Sequence, residues 1–324
     1  MTRRGADDES RPPDDPGGST VRNVLSFDTE HWYSATLLAD EVDDPTGHIR
    51  ESVGIVLDVL RRHDVTATFF VVGEVARDYP DLVARIADEG HEVGSHGHTH
   101  TPVFDLTRES FRREVDRSVD AIRAAIGRRP RGFRAPNFSV TPATDWAIDV
   151  LARRGFDYDS SVFPVRTPMY GVSNAPRQPY VARPDAPFTP DGERDPVAAI
   201  GDPDVSNDGG PAAVAGVEAR EDAVLELPLA VYHPRVPLPI AGGFYARLLP
   251  DLLLERGIRN LNARGVPATV YFHPWEFNPS VIRDDVPLHK RFVSFYGLER
   301  TTETLSGLLR TFPFGPARAI VDGW

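Results

Sequence analysis

The stretch Gly90-His91-Glu92-Val93-Gly94-Ser95-His96-Gly97-His98-Thr99-His100 holds four of the ten histidines in this 324-residue chain. Three of them alternate at positions 96, 98 and 100, directly after a short β-prone segment. Histidine is the commonest metal ligand, and its unperturbed pKa lies near neutrality. The cluster therefore predicts a functional site at the end of a strand.

Composition narrows the kinds of site that this chain can build. It contains no cysteine, which excludes disulfides, thiolate metal sites and cysteine nucleophiles, so any metal must bind His, Asp or Glu. The formal net charge is -12, and Lys290 is the only lysine. Because no long basic stripe is present, we expect no nucleic-acid partner, since such binding depends on neutralising phosphates.

The distribution of apolar residues along the chain indicates whether it inserts into a membrane and whether it carries a secretory signal. No run of about 18 apolar residues occurs, so we expect no membrane insertion. The first 18 residues are polar and lack the apolar core of a secretory signal, which favours a cytoplasmic location. Residues 1–20 are rich in Pro, Asp, Gly and Arg, which predicts a disordered polar tail.

Apolar periodicity predicts strands and helices in alternation. The predicted strands cover residues 21–27, 65–72, 91–93, 132–134, 224–229, 268–272 and, in the tail, 317–321. The predicted helices cover residues 49–63, 79–89, 107–126, 141–153, 244–262 and 302–310. This order is typical of a parallel α/β sheet or barrel. Residues 184–222 carry ten Asp or Glu against two Arg and are predicted to form an acidic surface insertion.

Polar residues follow four of the predicted strands. They are Asp28 with Glu30, the histidines from His96 to His100, Arg134, and His273. Chemistry in α/β barrels is found at the carboxyl ends of the strands. We therefore expect these residues, although distant in sequence, to meet at one end of the fold.

The spacing of His96 and His100 favours a metal site. If the chain turns helically after Ser95, both imidazoles project from one face and His98 points elsewhere. A catalytic zinc site needs three protein ligands and an open position, so Asp28 or Glu30 would supply the third. The alternative is a solvated histidine-rich loop without a metal.

The other strand-end residues each have a functional and a structural interpretation. Asp28 and Glu30 can divide the work of base and ligand, or can serve as turn and helix-capping acids. Arg134 can orient a carboxylate through two hydrogen bonds, or can be a surface charge. His273, between an apolar strand and a proline, can be a general acid or a structural histidine.

Together, in this order, the motifs resemble the polysaccharide deacetylase family, which is carbohydrate esterase family 4 with its NodB homology region. The resemblance rests on Ser26-Phe27-Asp28-Thr29-Glu30, His96-Gly97-His98-Thr99-His100, Arg134-Ala135-Pro136 and Tyr271-Phe272-His273. Further segments at 158–164, 242–250, 273–279 and 296–301 resemble a branch that has a C-terminal extension and is found in exopolysaccharide loci. The resemblance covers residues 22–321.

The resemblance implies a fold and a domain organisation. It implies an α/β fold, a distorted (β/α) barrel with about seven strands. Residues 21–324 would form a single catalytic domain, with the acidic insertion at 184–222 and the C-terminal extension from about residue 280.

The resemblance also implies an activity, which is removal of N-acetyl groups from an amino-sugar polysaccharide or oligosaccharide. The cofactor would be a divalent metal, zinc first, with cobalt and manganese as alternatives. Asp28 would be the base, His273 the acid, and Arg134 would position Asp28. His96 and His100 would bind the metal.

The third metal ligand differs from the common family pattern. Many members have two adjacent aspartates, whereas Thr29 follows Asp28 here. Threonine is a poor zinc ligand, so we assign the third position to Glu30.

Two rival hypotheses about the function remain open. One is a hydrolase of small cyclic amides or ureides, such as an allantoinase, and the other is a non-catalytic carbohydrate-binding protein.

Overall fold

A computed structural model describes residues 21–35, 37–38, 47–167, 171–189, 223–232 and 237–324. The predicted tail at 1–20 and most of the predicted insertion, residues 190–222, lie outside these ranges. Within the ranges, no helix has both the length and the apolarity needed to cross a membrane.

The described residues form an α/β structure. Its strands are β1 (Asn23–Thr29), β2 (Thr68–Val71), β3 (Glu92–Ser95), β4 (Gly132–Phe133), β5 (Tyr158–Asp159), β6 (Tyr180–Ala182), β7 (Val224–Glu226), β8 (Val231–Tyr232), β9 (Leu238–Pro239), β10 (Thr269–Phe272) and β11 (Phe314–Gly315). Its helices are α1 (Ile49–Arg62), α2 (Gly73–Asp78), α3 (Pro80–Asp88), α4 (Arg108–Ile126), α5 (Trp146–Arg153), α6 (Gly243–Leu248), α7 (Asp251–Asn262), α8 (Leu288–Phe295), α9 (Thr301–Thr311) and α10 (Arg318–Val321).

Seven strands form a curled parallel sheet in the order β10-β1-β2-β3-β4-β5-β7. An antiparallel strand, β6, continues the sheet beyond β7, and β11 pairs with the start of β1. Between β7 and β10 the backbone is joined by single hydrogen bonds, from Ala230 to Thr269 (3.0 Å) and from Tyr271 to Ala241 (2.7 Å). The predicted distorted barrel of about seven strands is confirmed.

The two faces of the sheet carry different layers because strand side chains alternate. Leu25 and Phe27 of β1 belong to the large core that the sheet forms with the surrounding helices. Val24 and Phe70 face the other way, into an inner cluster with Tyr158. Even-numbered residues of β1 therefore point into the barrel.

The predicted boundaries fail in three places. The predicted helix 244–262 is two helices, α6 and α7, because Pro250 begins the second one as its N-cap. The predicted tail strand 317–321 is wrong, since residues 318–321 form α10 and the strand lies earlier, at β11. Helix α5 begins at Trp146 instead of Thr141, after a turn in which Thr141 and Thr144 hydrogen bond to each other.

Candidate active site

The even-numbered residues at the end of β1 supply two acids to the site. Asp28 lies within the strand, and Glu30 follows its last residue. Thr29 lies between these two residues, so its side chain points to the other face of the sheet, and its hydroxyl contacts the carbonyl of Phe27 at 3.5 Å. Strand geometry thus places Glu30 beside Asp28 and turns Thr29 away.

Asp28 is held by a buried arginine. Arg134 Nη1 donates to Asp28 Oδ1 at 2.7 Å, and the Arg134 side chain is 0% exposed. The guanidinium also donates to Ser26 Oγ at 2.9 Å, and to Ser160 through its carbonyl (3.0 Å) and its hydroxyl (2.9 Å). It lies 4.3 Å from the Phe70 ring centroid. Four of the five N–H donors of Arg134 are thereby engaged, which fixes the orientation of the ion pair.

Glu30, His96 and His100 form a cluster whose candidate ligand atoms lie within 4.8 Å of one another. Glu30 Oε2 lies against His100 Nε2, and the other oxygen of Glu30 is 3.5 Å from Trp275 Nε1. His96 Nδ1 lies 2.8 Å from the carbonyl of Arg134, an acceptor, so this nitrogen carries the proton and Nε2 keeps its lone pair.

The protonation states in this cluster suit a divalent metal. Burial would raise the pKa of Glu30, but His100, His273 and His96 together hold it at about 2. Burial lowers the pKa of His96 to about 4. Near neutral pH the cluster therefore offers an ionised carboxylate and a neutral imidazole, the forms that bind metal. Two imidazoles and one carboxylate are a donor set typical of catalytic zinc.

The backbone of the histidine stretch differs from the predicted helical turn. Strand β3 ends at Ser95, and Gly97 (φ 74) and His100 (φ 61) then adopt left-handed conformations. The helical turn that was considered as the means of bringing the two imidazoles together does not form. The glycine instead allows a tighter reversal that returns His100 to His96, with ring centroids 5.1 Å apart. His98 lies outside the cluster, beside Gly73, where an added Cβ would be 2.4 Å from its Nδ1.

His273, the residue that follows β10, faces the cluster. Its Nε2 lies 3.6 Å from Glu30 Oε1, while Glu276 Oε2 accepts from its backbone N–H at 2.8 Å and lies 3.3 Å from its Nδ1. Burial would lower the pKa of His273, but Glu276 and the more distant carboxylates raise it to about 9. His273 is therefore a protonated imidazolium whose Nδ1 is engaged and whose Nε2 points to the site.

Glu276 is in turn fixed by a second buried arginine. Arg247 Nη2 lies 3.0 Å from Glu276 Oε1, and both side chains are at most 2% exposed. Arg247 also donates to the carbonyls of Ser294 (2.9 Å) and Val293 (3.3 Å), which joins α6 to α8. An added Cβ at Gly243 would meet the Glu276 carboxylate at 2.0 Å, so only glycine fits there.

A cavity of about 270 Å³ opens over these groups. Asp28, Glu30, His96, His100 and His273 all line it. Its other walls are largely apolar, and include Asn137 and Phe138, both with positive φ, together with Tyr245, Tyr271 and Trp275. The cavity can thus admit a small group to the metal-binding cluster, with a carboxylate and an imidazolium beside it.

The structure brings together all six residues singled out from the sequence. Their roles stay predictions, since geometry alone assigns no step. Sequence reasoning missed Ser160, Glu276 and Arg247. The spacing of His273-Pro274-Trp275-Glu276 carried a signal for one of them, because an acid three residues after a helix N-cap reaches back to the cap backbone.

Family models match two parts of the chain. Residues 37–158 match the model described as polysaccharide deacetylase. Residues 196–322 match a domain of unknown function, DUF3473. The first segment contains His96, His100 and Arg134, and the second contains His273. The two matched regions therefore both contribute to the cavity.

Relatives with curated names point to the same family. A chitooligosaccharide deacetylase of Rhizobium leguminosarum bv. trifolii is 39% identical over 148 residues, which is 44% of this chain and 57% of that protein. A peptidoglycan-N-acetylglucosamine deacetylase of Bacillus cereus is 28% identical over 120 residues, which is 32% of this chain and 42% of that protein. The chain thus matches less than two thirds of the length of these relatives.

A solved structure supports the fold. A Mycobacterium smegmatis protein assigned to the polysaccharide deacetylases aligns over 96% of this chain and 92% of its own, with a TM-score of 0.55 and 20% identity. The family model and the curated relatives point to the same family, and the solved structure shows the same fold. Over residues 37–158 the chain is thus similar to the polysaccharide deacetylases.

Proposed function

We propose that this protein is a metal-dependent hydrolase that removes N-acetyl groups from an amino-sugar polysaccharide or oligosaccharide. The observation that carries the proposal is the convergence of a His96/His100/Glu30 cluster, an arginine-held Asp28 and a carboxylate-held His273 around one cavity. Two relatives are named as deacetylases of chitooligosaccharide and of peptidoglycan N-acetylglucosamine, which supports an N-acetylated amino sugar as the substrate class.

The metal would be held by His96, His100 and Glu30, with zinc as the first candidate and cobalt or manganese as alternatives. When bound, a divalent cation supplies Lewis acidity toward the acyl carbonyl. The chain itself supplies proton transfer and positioning.

Asp28 would take the proton of the attacking water, since the other cavity-wall carboxylate outside the ligand set, Glu276, is paired with Arg247 and His273. Arg134 would hold the Asp28 carboxylate in the orientation that this step requires. The carbonyl oxygen gains negative charge in the transition state, and the backbone N–H of Asn137 would donate to it. His273 would give the proton on Nε2 to the departing amine nitrogen.

The domain organisation proposed here is one catalytic domain over residues 21–324. His273 and Arg247 both fall in the C-terminal DUF3473 match, which begins at residue 196, well before the predicted extension from about 280. We therefore regard this C-terminal region as part of the catalytic unit.

The test is acetate release from N-acetylated chitooligosaccharides by chelator-treated protein reconstituted with zinc, cobalt or manganese. We expect acetate only with a metal added. Activity on allantoin-like ureides without acetate release would replace the proposal with the cyclic-amide alternative, and inactivity with every metal and substrate would favour a binding protein.

A further inference from the structure

Two buried acids stand side by side outside the catalytic cavity. Asp159 of β5 and Glu226 of β7 are register partners in the parallel sheet, and both are 0% exposed. Their neighbours across the sheet are Phe133 and Tyr180, which belong to an apolar cluster between the sheet and α5. Two carboxylates cannot both be ionised so close together in such a setting.

The remaining contacts show how the two acids are satisfied. Asp159 Oδ1 accepts from Ser161 Oγ at 2.5 Å, and Glu226 Oε1 accepts from the Val162 N–H at 3.0 Å. Asp159 Oδ2 and Glu226 Oε2 have no other partner in the described part of the chain. A single shared proton between these two oxygens satisfies both, since a protonated carboxyl is a donor and an ionised one an acceptor.

The charged and titratable groups that face the pair do not remove the need for that proton. Arg134 is the nearby cation, but four of its five N–H donors are used by Asp28, Ser26 and Ser160. Tyr180 stands beside Glu226, and its hydroxyl donates to the carbonyl of Pro187 at 2.9 Å. Burial raises the pKa of both acids, that of Asp159 to about 6, which agrees with a retained proton.

The pair connects to the active site through Ser161. Because the Ser161 hydroxyl donates its proton to Asp159, its lone pair is left to accept from the Ala135 N–H, at 2.7 Å. Ala135 lies between Arg134, which holds Asp28, and Pro136, which leads to Asn137 on the cavity wall. The orientation of this segment thus depends on a hydroxyl whose direction is set by the pair.

We propose that Asp159 and Glu226 are positioning residues, a carboxylic acid–carboxylate pair that sets the direction of the Ser161 hydroxyl and through it the segment from Arg134 to Phe138. The proposal rests on the proposed function where turnover is concerned. Its structural part does not, because the position of the segment can be followed without substrate.

The test measures amide exchange and kcat in three variants, Glu226→Gln, Glu226→Ala and Ser161→Ala. Gln keeps a hydrogen bond to Asp159 without a second charge, whereas Ala removes the partner. We expect Glu226→Ala and Ser161→Ala to speed amide exchange of the peptide containing Ala135 about tenfold, in line with the loss of about one hydrogen bond. We expect kcat to fall by a similar factor, with KM and metal content unchanged.

Glu226→Gln should restore both the exchange rate and kcat toward wild type, and the exposed Glu299→Gln serves as the matched control. Should Glu226→Ala not fold, Ser161→Ala carries the test, because it leaves the carboxyl pair in place. The proposal is overturned if Ser161→Ala keeps the wild-type exchange rate and kcat. It is also overturned if Glu226→Gln shows the same exchange rate and kcat as a folded Glu226→Ala variant. If no variant or wild type releases acetate, the proposed function fails while the exchange result still decides the positioning role.

Discussion

Arg134 Nη1 lies 2.7 Å from Asp28 Oδ1, and neither side chain is more than 3% exposed. Removing one member of a buried ion pair leaves the other charge uncompensated, which typically costs about 3–5 kcal/mol. Breaking this pair should therefore lower stability as well as the proposed catalytic activity, and the two effects can be measured separately.

For Arg134→Gln we expect a loss of about 3–5 kcal/mol in the free energy of unfolding, together with loss of turnover, because Asp28 is left buried without its partner. Denaturant unfolding measures the first and acetate release the second. The double variant Arg134→Gln/Asp28→Asn should recover much of the stability but no turnover. Equal stability of the single and double variants would contradict a coupled pair.

Glu30→Ala should weaken metal binding far more than Thr29→Ala. Loss even of an outer partner of a metal ligand costs about 10–100-fold in affinity, so loss of a ligand should cost at least that. Thr29 points away from the cluster and is the matched neighbour. Elemental analysis after dialysis measures the difference, and equal metal content in the two variants would remove Glu30 from the ligand set.

Arg247→Met should lower kcat while leaving metal content near wild type, because Arg247 fixes Glu276, and Glu276 fixes His273. Glu276→Gln should act through the same path. The double variant should therefore cost much less than the sum of the two single effects, as expected for residues in one network. Additive losses in ln kcat would show that the two residues act independently.

Stability should depend on pH through Asp159 and Glu226. Burial raises the pKa of Asp159 to about 6 and that of Glu226 well above its usual value. The folded state then binds protons that the unfolded chain, with carboxyl pKa values of about 4, releases. The contribution of this pair is full below about pH 4 and is lost as the pH rises through about 6.

Glu226→Gln removes one of these titrations. Its stability relative to wild type should rise between about pH 4 and pH 8, by up to about 1.4 kcal/mol for each unit by which the pKa is raised. Chemical denaturation of metal-free protein across this range measures the difference. Parallel curves for wild type and Glu226→Gln would show that Glu226 is not protonated in the folded state, with Glu299→Gln as the surface control.

The candidate site was largely predictable because its residues stand at strand ends within short motifs. Asp28, Glu30, His96, His100, Arg134 and His273 could each be found by reading where an apolar strand stops. The rule that side chains alternate along a strand also explains why Glu30, and not Thr29, joins the cluster. The way in which the chain brings His96 and His100 together was not predictable, because the left-handed conformations of Gly97 and His100 depend on tertiary packing.

The supporting residues were not predictable, because their roles come from contacts between distant strands and helices. Arg247 and Glu276 lie 29 positions apart (276 − 247), and nothing local marks the arginine as buried. Asp159 and Glu226 read as ordinary strand and turn acids until the register of β5 and β7 places them side by side. The predicted strand at 317–321 was wrong for a related reason. Ile320 and Val321 favour a strand by composition, but they pack on the inner cluster as part of a short helix.

The central claim is that one set of residues holds the metal while a separate acid activates water. The most direct measurement is metal content and acetate release of Asp28→Asn and His96→Ala, determined on the same zinc-reconstituted preparations. The account predicts that Asp28→Asn keeps its metal and loses turnover, while His96→Ala loses both. Full turnover in Asp28→Asn, or a metal-loaded and active His96→Ala, would contradict it.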